Sequence, residues 1–167
     1  IHLKKDLKGT GELMDPKTGF INGPTLQLLH LDYFDRVHLF TIANDKASEK
    51  KSTEIRNCVS DNPNYFGIPE IVTHYIKILH PADYSSLWDE VPKQTKKILE
   101  AEEYKSEDTK IFFNVSSGSP AMITTWIIMV GTSEFDAVLL SPQINKKSKK
   151  VDLEHIDAGV YPHINKL

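Results

Sequence analysis

The strongest constraint on this chain is an alternation of local character. Runs rich in β-branched and aromatic residues stand at Arg36–Ile42 and at residues 70–79, 110–115 and 137–140. Helical stretches lie between them at residues 47–59, 84–104 and 121–132, the second disturbed by Pro92. Strand and helix in turn is the pattern of βαβ units, which place parallel strands side by side under covering helices. The strands read as apolar runs rather than alternating ones, as expected where both sheet faces are covered. We therefore expect the α/β class: a Rossmann-like, mostly parallel sheet with helices on both faces. Phe112, Val115, Val138 and Leu140 are the expected core of its third and fourth strands.

The flanks are less regular. Residues 1–24 carry Gly9, Gly11, Gly19, Gly23, Pro16 and Pro24, the breaker density of a long loop. Loops of that length in a compact domain are functional or disordered. Pro24 suits the first turn of a helix, which Leu26, Leu28, Leu29 and Leu31 then carry to about Asp32. A doubly wound sheet usually opens on a strand, and only Ile1-His-Leu3 is available as its tail. The first strand is accordingly expected upstream of Ile1. Residues 144–167 are polar and lysine-rich at first, with a short strand expected at 151–155, and read as an extension or a link toward an effector domain beyond the C-terminus. A length of 167 residues suits a single domain.

Composition excludes several classes. The net charge of −3 and pI near 6.2 argue against a protein that binds bulk DNA or coats nucleic acid by charge, while leaving room for a local phosphate pocket. Cys58 is the single cysteine, so no internal disulfide forms and a reducing, cytoplasmic compartment fits. Cys58 lies in a helical stretch with no histidine beside it and is expected to be a buried, inert thiol. No apolar run approaches the roughly 18 residues of a membrane span. The best candidate, residues 121–130, is broken by Thr124 and Thr125. No signal peptide is evident. His2, His30, His38, His74, His80, His155 and His163 show no paired ligand spacing, so no metal site is expected. His38 and His74 fall inside strands, and Trp88 and Trp126 in helices, as core or interface residues do. The lysines at 146, 147, 149 and 150 read as a solvated loop.

In open parallel sheets a ligand sits beyond the carboxyl ends of the strands. Four segments converge there: the loop of residues 2–23, with Thr10 and Gly11; Thr41 to Asp45, with Thr41 and Asn44; Ser116 to Pro120; and Ser141 to Gln143, with Ser141. The third is the most informative. A strand ends at Val115 and Ser116-Ser117-Gly118-Ser119-Pro120 enters a helix. Ser119 suits the N-cap, Pro120 the first turn, and Gly118 permits close backbone approach. Free N–H groups and the dipole at a helix start favour an anion such as phosphate, and serine hydroxyls add donors without charge. A well-capped helix with no ligand explains the same residues, so both readings stand at this point. A serine nucleophile is a weaker reading, because only Gly118 flanks the serines. Gly9-Thr10-Gly11 lacks a preceding strand and a later glycine, and no Walker sequence is present, so no nicotinamide or other cofactor is expected.

Four segments at fitting distances carry a resemblance: Phe34-Asp-Arg-Val-His-Leu-Phe40, His80-Pro-Ala-Asp-Tyr84, Phe113-Asn-Val-Ser-Ser-Gly-Ser-Pro-Ala-Met122 and Leu140-Ser-Pro142. Together they resemble the CARF domain, the CRISPR-associated Rossmann fold, over roughly residues 19–143. The version in the sigma-54 activator of the RNA-repair operon is the most similar. The resemblance implies a homodimer that binds a cyclic oligoadenylate, or an RNA-derived nucleotide, across its two-fold axis to control an effector in type III CRISPR antiviral defence. It implies ligand loops after the first strand and at Ser116, Ser117, Gly118, Ser119, Pro120 and Met122. The absent first strand is a departure that bears on Thr10 and Gly11. An alternative within the same fold is a metal-independent ring nuclease, in which Ser116, Ser117 and Thr10 position the ligand for attack by its own 2′-hydroxyl. A generic mononucleotide-binding Rossmann domain is the third possibility.

Overall fold

The computed structural model describes residues 21, 23–101, 104–145 and 150–156. Its elements run α1 (Pro24–Leu31), β1 (Arg36–Ile42), α2 (Lys46–Asp61), α3 (Pro63–Phe66), β2 (Glu70–Ile76), α4 (Tyr84–Leu99), β3 (Phe112–Asn114), α5 (Pro120–Gly131), β4 (Val138–Asn145) and β5 (Lys150–Ile156). They fall into two compact units, Ile1–Tyr75 with Ser141–Glu154, and Ile76–Leu140 with His155–Leu167. The described strands pair as β1–β2 and as β3–β4–β5. The expected α/β, Rossmann-like class is what the chain adopts.

In the first unit β1 and β2 lie side by side, with Arg36 and Glu70 ion-paired across them at 2.5 Å. Val37 and Leu39 alternate on β1 and pack, with Ile71 of β2, against Ile55 and Val59 of α2. Ile55 and Val59 are one helical turn apart, so a single stripe of α2 supplies the contact. Leu26 and Leu29 of α1 and Phe66 of α3 complete the cluster. Asp45 caps α2 by accepting the Ala47 N–H at 3.0 Å. Pro63 opens α3, a short helix just beyond α2. Gly67 ends it at φ 67°, with the Tyr33 ring 3.3 Å from where a β-carbon would stand.

Cys58 is half-buried against this cluster. Burial raises its thiol pKa, and the Asp61 carboxylate raises it further. The thiol is thus half-buried rather than fully buried as expected, and its raised pKa makes the thiolate scarce at neutral pH. Iodoacetamide at pH 7.5 should label the folded protein more slowly than the urea-unfolded chain. Equal rates would contradict the burial.

The second unit contains a βαβ unit. β3 and β4 are parallel, with Phe112 opposite Val138, Phe113 opposite Leu139 and Asn114 opposite Leu140, and α5 is the crossover between them. α5 packs against α4. The core comprises Leu87, Val91, Phe113, Val115, Ala121, Trp126, Met129, Leu139 and Leu140. Val115 and Leu140 are buried as expected, but Phe112 is only half-buried and Val138 is 39% exposed. They are the first rung of the ladder and lie where it begins, while Phe113 and Leu139 on the next rung are covered. Trp126 is also a core residue, its ring centroid 4.7 Å from that of Phe113.

Candidate functional site

β3 ends at Asn114 because the following residues turn away to start α5. Val115 keeps one last ladder bond, its N–H donating to Leu140 O at 3.0 Å. Asn114 then organises the turn with its side chain. Its Oδ1 accepts the Ser116 N–H at 2.9 Å and the Ser116 hydroxyl at 2.5 Å. Its Nδ2 donates to Ser117 Oγ at 3.2 Å. This is the local backbone-mimicking bonding that asparagine favours at turns. Gly118 follows at φ 117°, a conformation that L side chains rarely adopt, with the Met122 side chain beside it.

Ser119 performs the capping that its position implies. Its Oγ accepts the Met122 N–H at 3.2 Å and donates to the Pro81 carbonyl. The hydroxyl is buried and doubly employed, so it fixes the turn rather than facing outward. Pro120 has no N–H to offer, and the Ile123 N–H goes to Ser119 O. The Ser116 N–H and hydroxyl are both committed to Asn114 Oδ1.

The Pro81 contact ties the turn to the start of α4. Asp83 N–H donates to His80 O at 2.9 Å, closing a turn that ends in a cap. The Asp83 carboxylate accepts from the Ser85 N–H at 3.1 Å, the Ser86 N–H at 3.4 Å and the Ser86 hydroxyl at 2.7 Å. The Ser86 hydroxyl bond, the Ser86 and Ser85 N–H bonds and the charge of His80 together lower its pKa. A lowered pKa in the fold means stability that is present above the unfolded value near 4 and is lost as pH falls through the folded value. Asp83→Asn should remove that acid-side slope, seen as a flatter melting temperature between pH 4.5 and pH 2.5. An unchanged slope would show that the cap is not titrating.

Replacing Ser119 tests the structural role directly. Ser119→Ala removes a cap, worth about 1 kcal/mol, and leaves the Pro81 carbonyl short of a partner, worth about 1–3 kcal/mol. The melting temperature should fall accordingly in thermal unfolding, and a change within error would mean that neither bond matters.

The structure thus gathers Ser116, Ser117, Gly118, Ser119, Pro120 and Met122 on one turn, in the second unit. Thr41, Asn44 and Ser141 belong to the first. Thr41 is fully buried and its hydroxyl is bonded to that of Ser52. Asn44 is exposed at φ 64°, and its N–H donates to Glu49 Oε1 at 3.2 Å. Ser141 is buried and accepts from Gln143 Nε2 at 3.2 Å. Thr10 and Gly11 lie outside the described residues, as does any strand before them. Sequence reasoning missed Asn114 and Pro81. An asparagine two residues before a serine at a strand end signals the first, whereas nothing local signals a carbonyl contact 38 positions away. Among the described residues no cluster of His, Cys, Asp and Glu could hold a metal, and no helix is long and apolar enough to cross a membrane.

No family model matches the chain, and no curated protein matches it. Among solved structures it is similar to Enterococcus italicus Csm6 bound to cyclic hexa-2'-fluoro-hexa-dAMP, at 20% identity and a TM-score of 0.55. The likeness covers 87% of this chain and 33% of that one, so the chain spans about a third of the Csm6 length. Parallel strands joined by a crossover helix, with a loop at the strand's carboxyl end, define the Rossmann-like class. Within it, the similarity to Csm6 makes the fold CARF-like.

Proposed function

We propose that this chain is a regulatory sensor that binds a cyclic oligoadenylate, or a related RNA-derived nucleotide, on the turn between β3 and α5. The observation that carries the reading is that turn. Ser116, Ser117 and Gly118 are pre-shaped by Asn114 and held at the start of α5, where N–H groups and the helix dipole favour an anion. Neutral donors of this kind hold phosphates without a basic surface, which agrees with a net charge of −3. The CARF-like fold and the cyclic hexanucleotide bound to Csm6 support the choice of ligand class.

The further parts of the reading are a homodimer with the ligand across its two-fold axis, control of an attached effector, and a cytoplasmic place in type III CRISPR defence. A two-fold symmetric ring suits an isologous dimer, because both subunits then present the same turn to it. Isothermal titration with cyclic tetra-adenylate and cyclic hexa-adenylate, followed by chromatography of the ligand, tests the proposal. Saturable binding with the ring intact supports a sensor. A linearised ring shifts the reading to a ring nuclease. No binding of either ring removes it.

A further inference from the structure

α4 carries a stripe of side chains that runs out of the core. Leu87, Val91 and Thr95 are buried along it. Tyr84 stands one turn toward the N-terminus of both Leu87 and Trp88, and Trp88 one turn before Val91, so the i, i+3 and i, i+4 spacings place the two rings on the same side of the helix as the stripe. They are not covered there: Tyr84 is 54% and Trp88 42% exposed, against 0% for Leu87. Asp89 falls on the opposite face of the helix.

This end of α4 is the one tied to the serine turn. The Ser119 hydroxyl donates to the Pro81 carbonyl, and Tyr84 follows Pro81 by three residues through the closed turn at His80 and Asp83. Three residues span at most about 10 Å of chain. Tyr84 therefore stands near the rim of the turn, and Trp88 follows one helical turn further along α4, the helix that packs on α5.

Resting on the reading above, we propose that Tyr84 and Trp88 form an aromatic shelf that stacks a purine base of the nucleotide whose phosphate occupies residues 116–122. In a nucleotide the base is separated from its phosphate by one sugar. A phosphate seated on the turn thus places its base beyond the rim, where a flat apolar surface is otherwise left in water. Ring faces hold bases by stacking, and larger purine faces hold best. The phosphate is gripped by neutral donors and the base by ring area, so affinity divides between two neighbouring elements.

Titration calorimetry with cyclic tetra-adenylate and cyclic hexa-adenylate tests this on the whole chain. Tyr84→Ala should weaken binding about ten- to a hundredfold, the value of one base stack, while Tyr84→Phe keeps the ring and stays within about threefold. Both should melt near the parent, since the side chain is half in water. Ligand should also quench the fluorescence of Trp88, and Trp88→Phe should lose that quenching, because the remaining Trp126 is buried against Phe113. Failure of the parent to bind either ring overturns the shelf together with the sensor reading. Normal binding by Tyr84→Ala and Trp88→Ala overturns the shelf alone and leaves the serine turn standing. A fall in sedimentation mass for Tyr84→Ala with unchanged affinity assigns the rings to contact between copies, and the shelf falls.

Discussion

Gly118→Val should abolish nucleotide binding, a loss beyond about a hundredfold in titration calorimetry, while the protein still unfolds cooperatively. The reason is backbone conformation rather than space. A β-carbon at Gly118 meets Met122 Cβ at 3.5 Å and Sδ at 3.8 Å, ordinary contact distances. The φ of 117° is another matter, because a β-branched residue there stores strain of about 1–3 kcal/mol. The turn relieves it by rotating the peptides around residue 118, which re-aims the N–H groups that would face a phosphate. The new side chain also fills the surface a ligand must approach. Gly118→Ala should show the same loss to a smaller degree. If the turn is only a helix cap, Gly118→Val lowers the melting temperature and leaves nucleotide affinity untouched, and that result would end the phosphate reading.

Asn114→Asp should separate the turn's shape from its charge. An aspartate keeps an oxygen for the Ser116 N–H and hydroxyl, so those two bonds persist. It loses the amide donor to Ser117 and brings a negative charge to the floor of the turn. A unit charge roughly 6 Å from a bound phosphate costs about 3 kcal/mol at an effective dielectric near 20, or about a hundredfold in affinity. Salt screens that repulsion, so the deficit should shrink between 50 mM and 500 mM NaCl. Asn114→Ala should behave differently, losing the shape itself and therefore stability as well as affinity. The check is calorimetry at both salt concentrations beside thermal melts. Equal affinity of Asn114→Asp and the parent at low salt would mean that no anion binds here.

The outline of the fold was legible where a local signal is self-sufficient. β1 spans the very residues its β-branched pattern marks, and α5 starts at Pro120 because a serine cap and a proline at N1 define a helix entry without outside help. Errors arose where neighbours decide. β2 stops at Ile76 rather than at residue 79, although Ile78 and Leu79 are equally strand-like, and Leu79 is 94% exposed. β4 runs on through Ser141 and Pro142 to Asn145 because it has β5 beside it, a fact no local composition reveals. α4 ends at Leu99, five residues before the expected Tyr104, with the Glu100 N–H returning to Lys96 O. At the candidate site the serines and Gly118 were readable from their spacing. The commitment of Thr41 to Ser52 and of Ser119 to Pro81 was not, since each depends on a partner that folding alone delivers.

Pro92 lies in the middle of α4, and its place has a mechanical consequence. It has no N–H to give to the carbonyl of Trp88, and its ring crowds that carbonyl. The helix still runs unbroken from Tyr84 to Leu99, with Asp83 capping its start. One rung is missing at its centre, and the Thr95 hydroxyl donates to the Val91 carbonyl at 2.8 Å just beside the gap. A helix short of one rung bends most cheaply there, so any flexing of α4 concentrates at Pro92, between the exposed rings of its first turns and its lysine-bearing end.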